Sequence, residues 1–325
     1  MNPLADASGD TQRHSVLIFL IEGVQGLGFS GPADVFSCVN AAVSEGFRYD
    51  VRTASRDGAP VRTASGLTVI PDCDLADVIG TDTLIMPDVD GIPTSEPEVL
   101  RALEDVADRA QRIAAVGTGA FLIAEMGLLS GRKAATHWEF SDELARRFPD
   151  VTVDCRDTVM KDGHVTTAGG GASGLDMALS LVEEDLGRGV AQRTARLLLT
   201  HLRTPGGQAQ FIEPRAREAQ SPALRRVQQQ VLTNPGADWS LRSLSHHASL
   251  SERHVSRLFR TEVGMTAREY VERARVAVAS HMLIEGTESP RVIACETGFG
   301  TETTMRKSFL HVLQVSPVDY RSRFS

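Results

Sequence analysis

The stretch RIAAVGTGAFLIAEMG, residues 112–127, indicates how the first two thirds of the chain fold. A run of apolar residues typical of a buried strand ends in Gly-Thr-Gly, and a second apolar run with helical spacing follows. This order predicts a strand, a tight turn and a helix. In α/β proteins such a turn often carries a phosphate-binding glycine loop or a catalytic nucleophile.

Strand-like and helix-like segments alternate on both sides of this stretch. The apolar runs of the strands are continuous, which is typical of strands buried on both faces of a sheet. The predicted strands lie at 15–23, 47–55, 67–72, 83–88 and on both sides of an Asp-Gly turn at 162–163, and the predicted helices lie at 31–43, 96–111, 142–150, 174–187 and 188–204. The fold class expected for this part is α/β, with a mostly parallel sheet flanked by helices.

Length and composition predict two domains in the 325 residues, of which 42% are hydrophobic. The N-terminus is polar and lacks the pattern of a signal peptide, no apolar run reaches the length of a membrane span, and four scattered cysteines form no C-x-x-C pair. We therefore expect a cytoplasmic protein without a metal site or a cofactor. The expected parts are a flexible tail at 1–13, an α/β domain at 14–204, a linker at 205–222 and an all-α domain at 223–325.

Charge separates the two predicted domains. Residues 223–325 carry 14 basic and 10 acidic side chains, whereas the first 222 residues carry 20 basic and 32 acidic ones. A net charge of +4 on the C-terminal part of an acidic chain favours an anionic partner for that part alone.

A repeat with an offset of 50 residues dominates the C-terminal part. SERHVSRLFRTEVGMTAREY at 251–270 matches TETTMRKSFLHVLQVSPVDY at 301–320 in the kind of residue at nine positions. Ser251 and Thr301 are typical helix N-caps, and a shorter helix that begins after Ser240 or Ser289 precedes each copy. Short helix, tight turn and capped second helix is the helix-turn-helix pattern. A long helix at 267–286 joins the two units.

Two such units on one rigid helix can present two recognition helices to one face of DNA, about 34 Å apart. The outward side chains would then read base edges in the major groove, where arginine pairs with guanine. The predicted DNA-contacting residues are Arg253, His254 and Arg257 in the first unit and Glu302, Thr303, Arg306 and Lys307 in the second. The alternative is that these side chains form ordinary solvated helix faces.

Residues from about 240 to 324 resemble the AraC/XylS DNA-binding domain. The resemblance is carried by LSERHVSRLFRTEVGMTAREYVERARVAVASHML and by SPRVIACETGFGTETTMRKSFLHVLQVSPVDYRSRF. It implies a transcription regulator that binds promoter DNA, usually as a dimer through its other domain. Gly300 and Thr301 stand where the family tends to have a larger or polar residue, which implies a different sequence preference on the same fold.

The N-terminal part resembles the class I glutamine amidotransferase-like domains of the ThiJ/PfpI type. The matching stretches are GTGAFLIAEMGLLSGRKAATHW, GFSGPADVF, TAGGGASGLDMALSLVEED and GGQAQF. In catalytic relatives the turn at residue 117 is a nucleophile elbow that holds a cysteine, and an acidic residue lies close to it. Here those two positions are Gly117 and Gly28, so the resemblance implies a domain without catalysis.

The Gly-Thr-Gly turn also lacks the further residues of a dinucleotide-binding or Walker loop. Its backbone N–H groups remain available to an anion or a carbonyl, and the absent side chain at 117 would leave space. The residues predicted to line a ligand pocket are Gly28, Gly117, Thr118, Gly119 and His137, with Trp138 beside them. The alternative for His137 and Trp138 is structural packing.

Three functions remain open from the sequence. The first is a transcription regulator whose N-terminal domain forms a homodimer and senses a small-molecule effector without catalysis, contacting RNA polymerase if it is an activator. The second is a DNA-binding protein with residual hydratase- or amidase-type activity. In the third, the N-terminal domain is purely structural.

Overall fold

The computed structural model describes residues 11–43, 46–202, 207–211 and 218–324. The chain divides between Gln208 and Ala209 into two compact units, and this division falls inside the predicted linker. Much of that linker and all but three residues of the predicted tail lie outside the described residues. The first strand already begins at Gln12, so the last two residues of the predicted tail are extended chain within the sheet.

The N-terminal unit is built on a seven-stranded sheet. The strands of this unit are β1 Gln12–Phe19, β2 Phe47–Ser55, β3 Val61–Arg62, β4 Thr68–Val69, β5 Cys73–Asp74, β6 Thr83–Met86, β7 Arg112–Val116, β8 Lys133–Ala134, β9 Thr152–Val153, β10 Val159–Asp162 and β11 Val165–Ala168. The sheet order is β10-β11-β7-β6-β1-β2-β5, and every neighbouring pair is parallel except β10 with β11. The prediction of a mostly parallel sheet is therefore confirmed.

Helices cover both faces of this sheet. They are α1 Gly26–Ala42, α2 Pro97–Ala107, α3 Gly119–Glu125, α4 Ser141–Arg147, α5 Ser173–Leu186 and α6 Arg188–Leu197. Successive strand residues point to opposite faces, so Leu17 and Leu84 pack in one core with α2 and α3, whereas Ile18 and Ile85 pack in another with α1 and α5. Each fully buried side chain of this size contributes roughly 1.5–3 kcal/mol.

Helix α6 ends earlier than the apolar pattern predicts. The sequence predicts helix to residue 204, but Leu199 has a φ of +53° and the last helical residue is Leu197. The N–H of Thr200 donates to the carbonyl of Ala195 at 2.9 Å, which closes the helix end. A left-handed residue at a helix end is normally glycine, so a leucine there gives no signal in the sequence.

The C-terminal unit is helical in all its described elements. Its helices are α7 Pro222–Thr233, α8 Leu241–Ala248, α9 Glu252–Leu258, α10 Ala267–Glu285, α11 Pro290–Glu296, α12 Glu302–Val312 and α13 Pro317–Phe324. The two predicted helix pairs are α8 with α9 and α11 with α12, and α10 joins them. Among the described residues, no helix is long and apolar enough to cross a membrane.

A buried polar network ties the amino ends of the central strands to the end of α5. Arg112, the first residue of β7, donates from Nη1 and Nη2 to the two carboxylate oxygens of Asp185 at 2.7 and 2.6 Å. The hydroxyl of Tyr49 donates to the same carboxylate at 2.6 Å. Burial alone would raise the pKa of Asp185, but the hydrogen bonds from Arg112 and Tyr49 outweigh it and hold the pKa below its ordinary value.

Removal of the Asp185 carboxylate is predicted to destabilise the N-terminal unit strongly. Asp185→Ala leaves the largely buried guanidinium of Arg112 without its carboxylate partner, so we expect a loss of about 2–3 kcal/mol in the free energy of unfolding. Urea unfolding followed by the fluorescence of Trp138, in a Trp239→Phe background, measures it. Because folding lowers the Asp185 pKa, this contribution is present near neutral pH and is lost as the pH falls below the ordinary carboxyl pKa.

Glu184 provides a matched control because it forms an exposed ion pair with Lys161, at 2.7 Å, next to Asp185. Glu184→Ala should cost less than about 1 kcal/mol. Equal losses for the two variants would contradict the assignment of the Arg112–Asp185 pair as a buried support of the sheet.

Candidate functional site

The Gly-Thr-Gly turn connects β7 to α3 at the carboxyl edge of the sheet, as the sequence predicts. Gly117 has a φ of +52°, and its N–H donates to the carbonyl of Ala168 in the neighbouring strand at 2.8 Å. Gly119 lies so close to the main chain of Met86 and Pro87 that a Cβ atom there would overlap their carbonyl oxygens. Backbone geometry therefore requires glycine at both positions, one for its conformation and the other for close approach.

Asp88 fills the space above Gly117. It follows β6, and any Cβ atom placed on Gly117 would overlap its carboxylate. Its Oδ1 accepts from the backbone N–H of Thr118 at 2.8 Å and lies 2.9 Å from the Thr118 hydroxyl, while its Oδ2 accepts from the N–H of Gly171 at 3.3 Å. Asp88 is only 7% exposed. The space that the absent side chain at 117 leaves is thus taken by a carboxylate of the same chain.

Two further glycines surround the Asp88 side chain. A Cβ atom on Gly28 would lie 3.0 Å from the Cβ of Asp88, and one on Gly170 would lie 2.8 Å from its Oδ2. Both distances are shorter than a normal contact between heavy atoms. Gly28, like Gly117, therefore lies against Asp88, although Gly117 approaches it more closely.

Sequence reasoning missed Asp88. The available signal was its place directly after a buried strand, next to the point where the strand order reverses. From β1 the chain continues to β2 on one side, whereas β6 and β7 lie on the other side, so the crevice between β1 and β6 is where ligands of such sheets bind. The Asp88 carbonyl accepts from Gln25 N–H at 2.8 Å across this crevice.

His137 lies beside the same cluster. Its Cδ2 is 3.2 Å from the position of a Cβ atom on Gly170, and its ring packs at 5.4 Å from that of Trp138. The neighbouring Thr136 is buried and its hydroxyl donates to the carbonyl of Gly117 at 2.8 Å. Of the predicted pocket residues, Gly28, Gly117 and Thr118 meet at Asp88. His137 lies next to Gly170, which in turn lies against Asp88. Gly119 instead faces the main chain that follows β6.

The cysteine nearest to the turn is held in a structural contact. The thiol of Cys155 donates to the carbonyl of Thr136 at 3.3 Å, and burial raises the pKa of Cys155. Burial also raises the pKa values of Cys38 and Cys73, which are half-buried. A raised pKa keeps these thiols protonated near neutral pH and thus unreactive.

The second helices of the two C-terminal pairs begin as predicted. The Ser251 side chain accepts from the N–H of His254 at 3.3 Å, and that of Thr301 accepts from the N–H of Thr304 at 3.2 Å. The apolar partners of the repeat, Val255 with Phe259 and Met305 with Phe309, are buried in two separate cores. The predicted DNA-contacting side chains are exposed, apart from His254, which is partly exposed: Arg253, Arg257, Glu302, Thr303, Arg306 and Lys307.

Comparison with known proteins agrees with both halves of this description. The model of the DJ-1/PfpI family matches residues 14–184, and that of a helix-turn-helix domain matches residues 244–323. The HTH-type transcriptional regulator Rv1931c of Mycobacterium tuberculosis is 30% identical over 265 residues, which are 75% of this chain and 96% of that protein. The isonitrile hydratase of Pseudomonas putida is 31% identical over 53% of this chain and 72% of its own length.

Solved structures share the fold. An AraC family transcriptional regulator from Pseudomonas putida superposes with a TM-score of 0.51 at 22% identity, over 57% of this chain and 99% of that one. A ThiJ/PfpI family protein from Pseudomonas syringae has a TM-score of 0.52 at 19% identity, over 76% of this chain and 96% of that one. The α/β fold, the doubled helix pairs and the matched models together show that the chain belongs to the DJ-1/PfpI family, with the C-terminal helix-turn-helix domain of DNA-binding transcriptional regulators.

Proposed function

We propose that this chain regulates transcription in the cytoplasm as a homodimer that is joined through its N-terminal unit and binds promoter DNA through α9 and α12. The observation that carries the proposal is the duplicated, capped helix with exposed basic side chains, Arg253 and Arg257 in one copy and Arg306 and Lys307 in the other. Such helices enter the major groove, where arginine pairs bidentately with guanine and lysine neutralises phosphate.

The N-terminal unit is proposed to sense a small-molecule effector without catalysis. Support comes from the glycines at positions 28 and 117 and from Asp88, whose carboxylate already accepts the backbone N–H groups of Thr118 and Gly171. Because the Asp88 carboxylate takes the space at Gly117, an effector would lie on the outer side of Asp88, next to His137, and would meet no nucleophile there. If the protein is an activator, the bound complex contacts RNA polymerase.

A second candidate function is a hydratase- or amidase-type activity beside DNA binding. It is favoured by the similarity to an isonitrile hydratase over half of the chain. It needs a nucleophile that the turn at Gly117 does not supply. A purely structural N-terminal unit is the remaining alternative, and an effector that shifts operator affinity or the melting temperature would exclude it.

Truncation of one predicted DNA contact in each helix should weaken binding. We expect Arg257→Ala to reduce the free energy of binding to a duplex selected by the wild-type protein by roughly 1–3 kcal/mol. It should also weaken the sequence preference at one base pair. Lys307→Ala should instead reduce the salt dependence of the affinity by about one phosphate contact. Fluorescence anisotropy at several salt concentrations measures both.

Arg226 provides the control for charge. It is exposed on α7, outside the two proposed reading helices. Arg226→Ala should leave the preferred sequence unchanged. Wild-type affinity and sequence preference in Arg257→Ala and Lys307→Ala would refute this arrangement on DNA.

Asp88 and Gly117 are predicted to be energetically coupled. Gly117→Ala should destabilise the N-terminal unit through both its positive φ and its overlap with the carboxylate. In an Asp88→Gly background the overlap is gone, so we expect the cost of Gly117→Ala to fall by at least about 1 kcal/mol. Urea unfolding of the four proteins of this cycle measures the coupling.

Gly127 is the matched control because it has a φ of +73° and no atom within 4 Å of an added Cβ. Gly127→Ala carries only the backbone strain and should cost the same with or without Asp88. A Gly117→Ala cost that is independent of Asp88 would show that the carboxylate does not fill the nucleophile position in solution.

The chain should turn over neither isonitriles nor amides. The test uses a Cys295→Ser variant, which lacks the exposed thiol, and combines stoichiometric labelling by electrophiles with product detection. We expect no labelled residue at the turn and no product. Clear turnover would overturn the non-catalytic assignment and favour the second candidate.

A further inference from the structure

The long helix α10 belongs to two separate apolar cores. Its first half contributes Ala267, Tyr270, Val271 and Ala274 to the core of the first helix pair. Its second half contributes Val276, Ala279 and Leu283 to the core of the second pair. The two pairs share no such core, so their relative placement depends on α10 itself and on the groups that bridge them. Arg275 lies at the residue where α10 passes from one core to the other.

Arg275 holds the loop that precedes the first helix pair. Its Nε donates to the carbonyl of Pro235 at 3.0 Å, and its Nη2 donates to the carbonyl of Ala237 at 3.2 Å. The same loop is closed by Trp239, whose indole N–H donates to the carbonyl of Asn234 at 2.8 Å. The guanidinium therefore fixes the start of the first pair on the middle of α10.

The turn of the second helix pair meets the same guanidinium. A Cβ atom on Gly298, between α11 and α12, would lie 2.8 Å from Nη2 of Arg275 and 2.7 Å from the carbonyl oxygen of Pro235. A Cβ atom on Gly236 would lie 2.6 Å from the carbonyl oxygen of Glu296 at the end of α11. The loop before α8, the guanidinium of Arg275 and the turn at Gly298 are thus in close contact, and no side chain would fit at Gly236 or Gly298.

A cleft of about 550 Å³ lies beside this junction and is lined from both helix pairs. Leu244 of α8 and Thr304 of α12 are among its lining residues, together with Val271 of α10. Space between the pairs would permit them to move relative to each other. Besides the Arg275 junction, α12 is held to α10 by the apolar core of the second pair and by Glu272. The Ser308 hydroxyl donates to Glu272 at 2.7 Å, and Nδ1 of His311 lies 3.3 Å from the same carboxylate.

We propose that Arg275 is a positioning residue that fixes the distance and the relative rotation of the recognition helices α9 and α12 within one chain. It would thereby fix the number of base pairs between the two DNA segments that these helices contact, which we call the half-sites. The proposal rests on the proposed DNA-binding function. One inserted base pair moves a half-site by about 3.4 Å and rotates it by about 34°. A rigid pair of helices cannot follow this change and loses one of its two contacts, whereas a loosely joined pair can follow it.

The test compares spacing preference with affinity. The full-length protein selects a duplex from a random library, and dissociation constants are measured for that duplex, for a single half-site and for a duplex with one base pair inserted between the half-sites. For the wild-type protein, we expect the inserted base pair to weaken DNA affinity about tenfold or more, and we call this loss the insertion penalty. Arg275→Gln should bind a single half-site with an affinity within about twofold of wild type. Its insertion penalty should be less than about threefold.

Arg273 supplies the matched control because it is an exposed arginine on the same helix. Arg273→Gln removes the same charge, and the inserted base pair should weaken its DNA affinity as much as it weakens that of wild type. A wild-type penalty in Arg275→Gln would overturn the proposal. If Arg275→Gln does not fold, as judged by circular dichroism, Arg275→Lys replaces it: a lysine can reach one carbonyl and should give an intermediate penalty, and an undiminished one would overturn the proposal.

The outcome for wild type separates this inference from the function on which it rests. Failure of wild type to select any duplex would contradict DNA binding itself. Selection of a duplex by wild type, with equal tolerance of spacing in wild type and Arg275→Gln, would contradict the positioning role alone.

Discussion

The carboxylate of Asp88 joins the loops that follow β6, β7 and β11 at the carboxyl edge of the N-terminal sheet. It stands between Gly28 at the start of α1 and Gly117 at the end of β7, and it accepts N–H groups from two loops. A side chain at Gly117 would overlap the carboxylate and force it out, and the buried N–H of Thr118 would then lose its acceptor. A Cβ atom at Gly28 would lie 3.0 Å from the Cβ of Asp88, so it would crowd the same residue. A side chain at Gly117 therefore requires a change at Asp88. The hydrogen bonds to Asp88 thus hold the turn between β7 and α3 in shape.

Most of the fold could be predicted from the sequence because the deciding signals are local. The strand, turn and helix at 112–127 follow from apolar periodicity and glycine, and the caps at Ser251 and Thr301 follow from residue type and spacing. Asp88 could not be assigned in this way. Its place after a buried strand indicates only that it lies at the carboxyl edge of the sheet. Its role depends on contacts with Gly28 and with Gly171, far away in the chain, which that place does not reveal.

The two ends of the sheet carry different polar contacts. At the amino ends, Arg112 and Asp185 form a bidentate buried pair that joins a strand to a helix. At the carboxyl ends, the loops after β1, β6 and β7 meet at the switch in strand order, where sheets of this kind bind ligands. The Arg112–Asp185 pair thus lies at the opposite edge of the sheet from the Gly-Thr-Gly turn that follows β7.

The same physical device recurs in the C-terminal unit with the charges reversed. There a guanidinium, that of Arg275, is held by backbone carbonyls, and Gly298 leaves room for it as Gly117 leaves room for Asp88. In both cases a charged group is held by main-chain atoms of loops distant in sequence. Main-chain partners are present at every residue, so residue types and their spacing cannot reveal such contacts. The sequence shows the glycines that leave room for these charged groups, Gly117 and Gly298. It does not show which charged side chain lies opposite each of them.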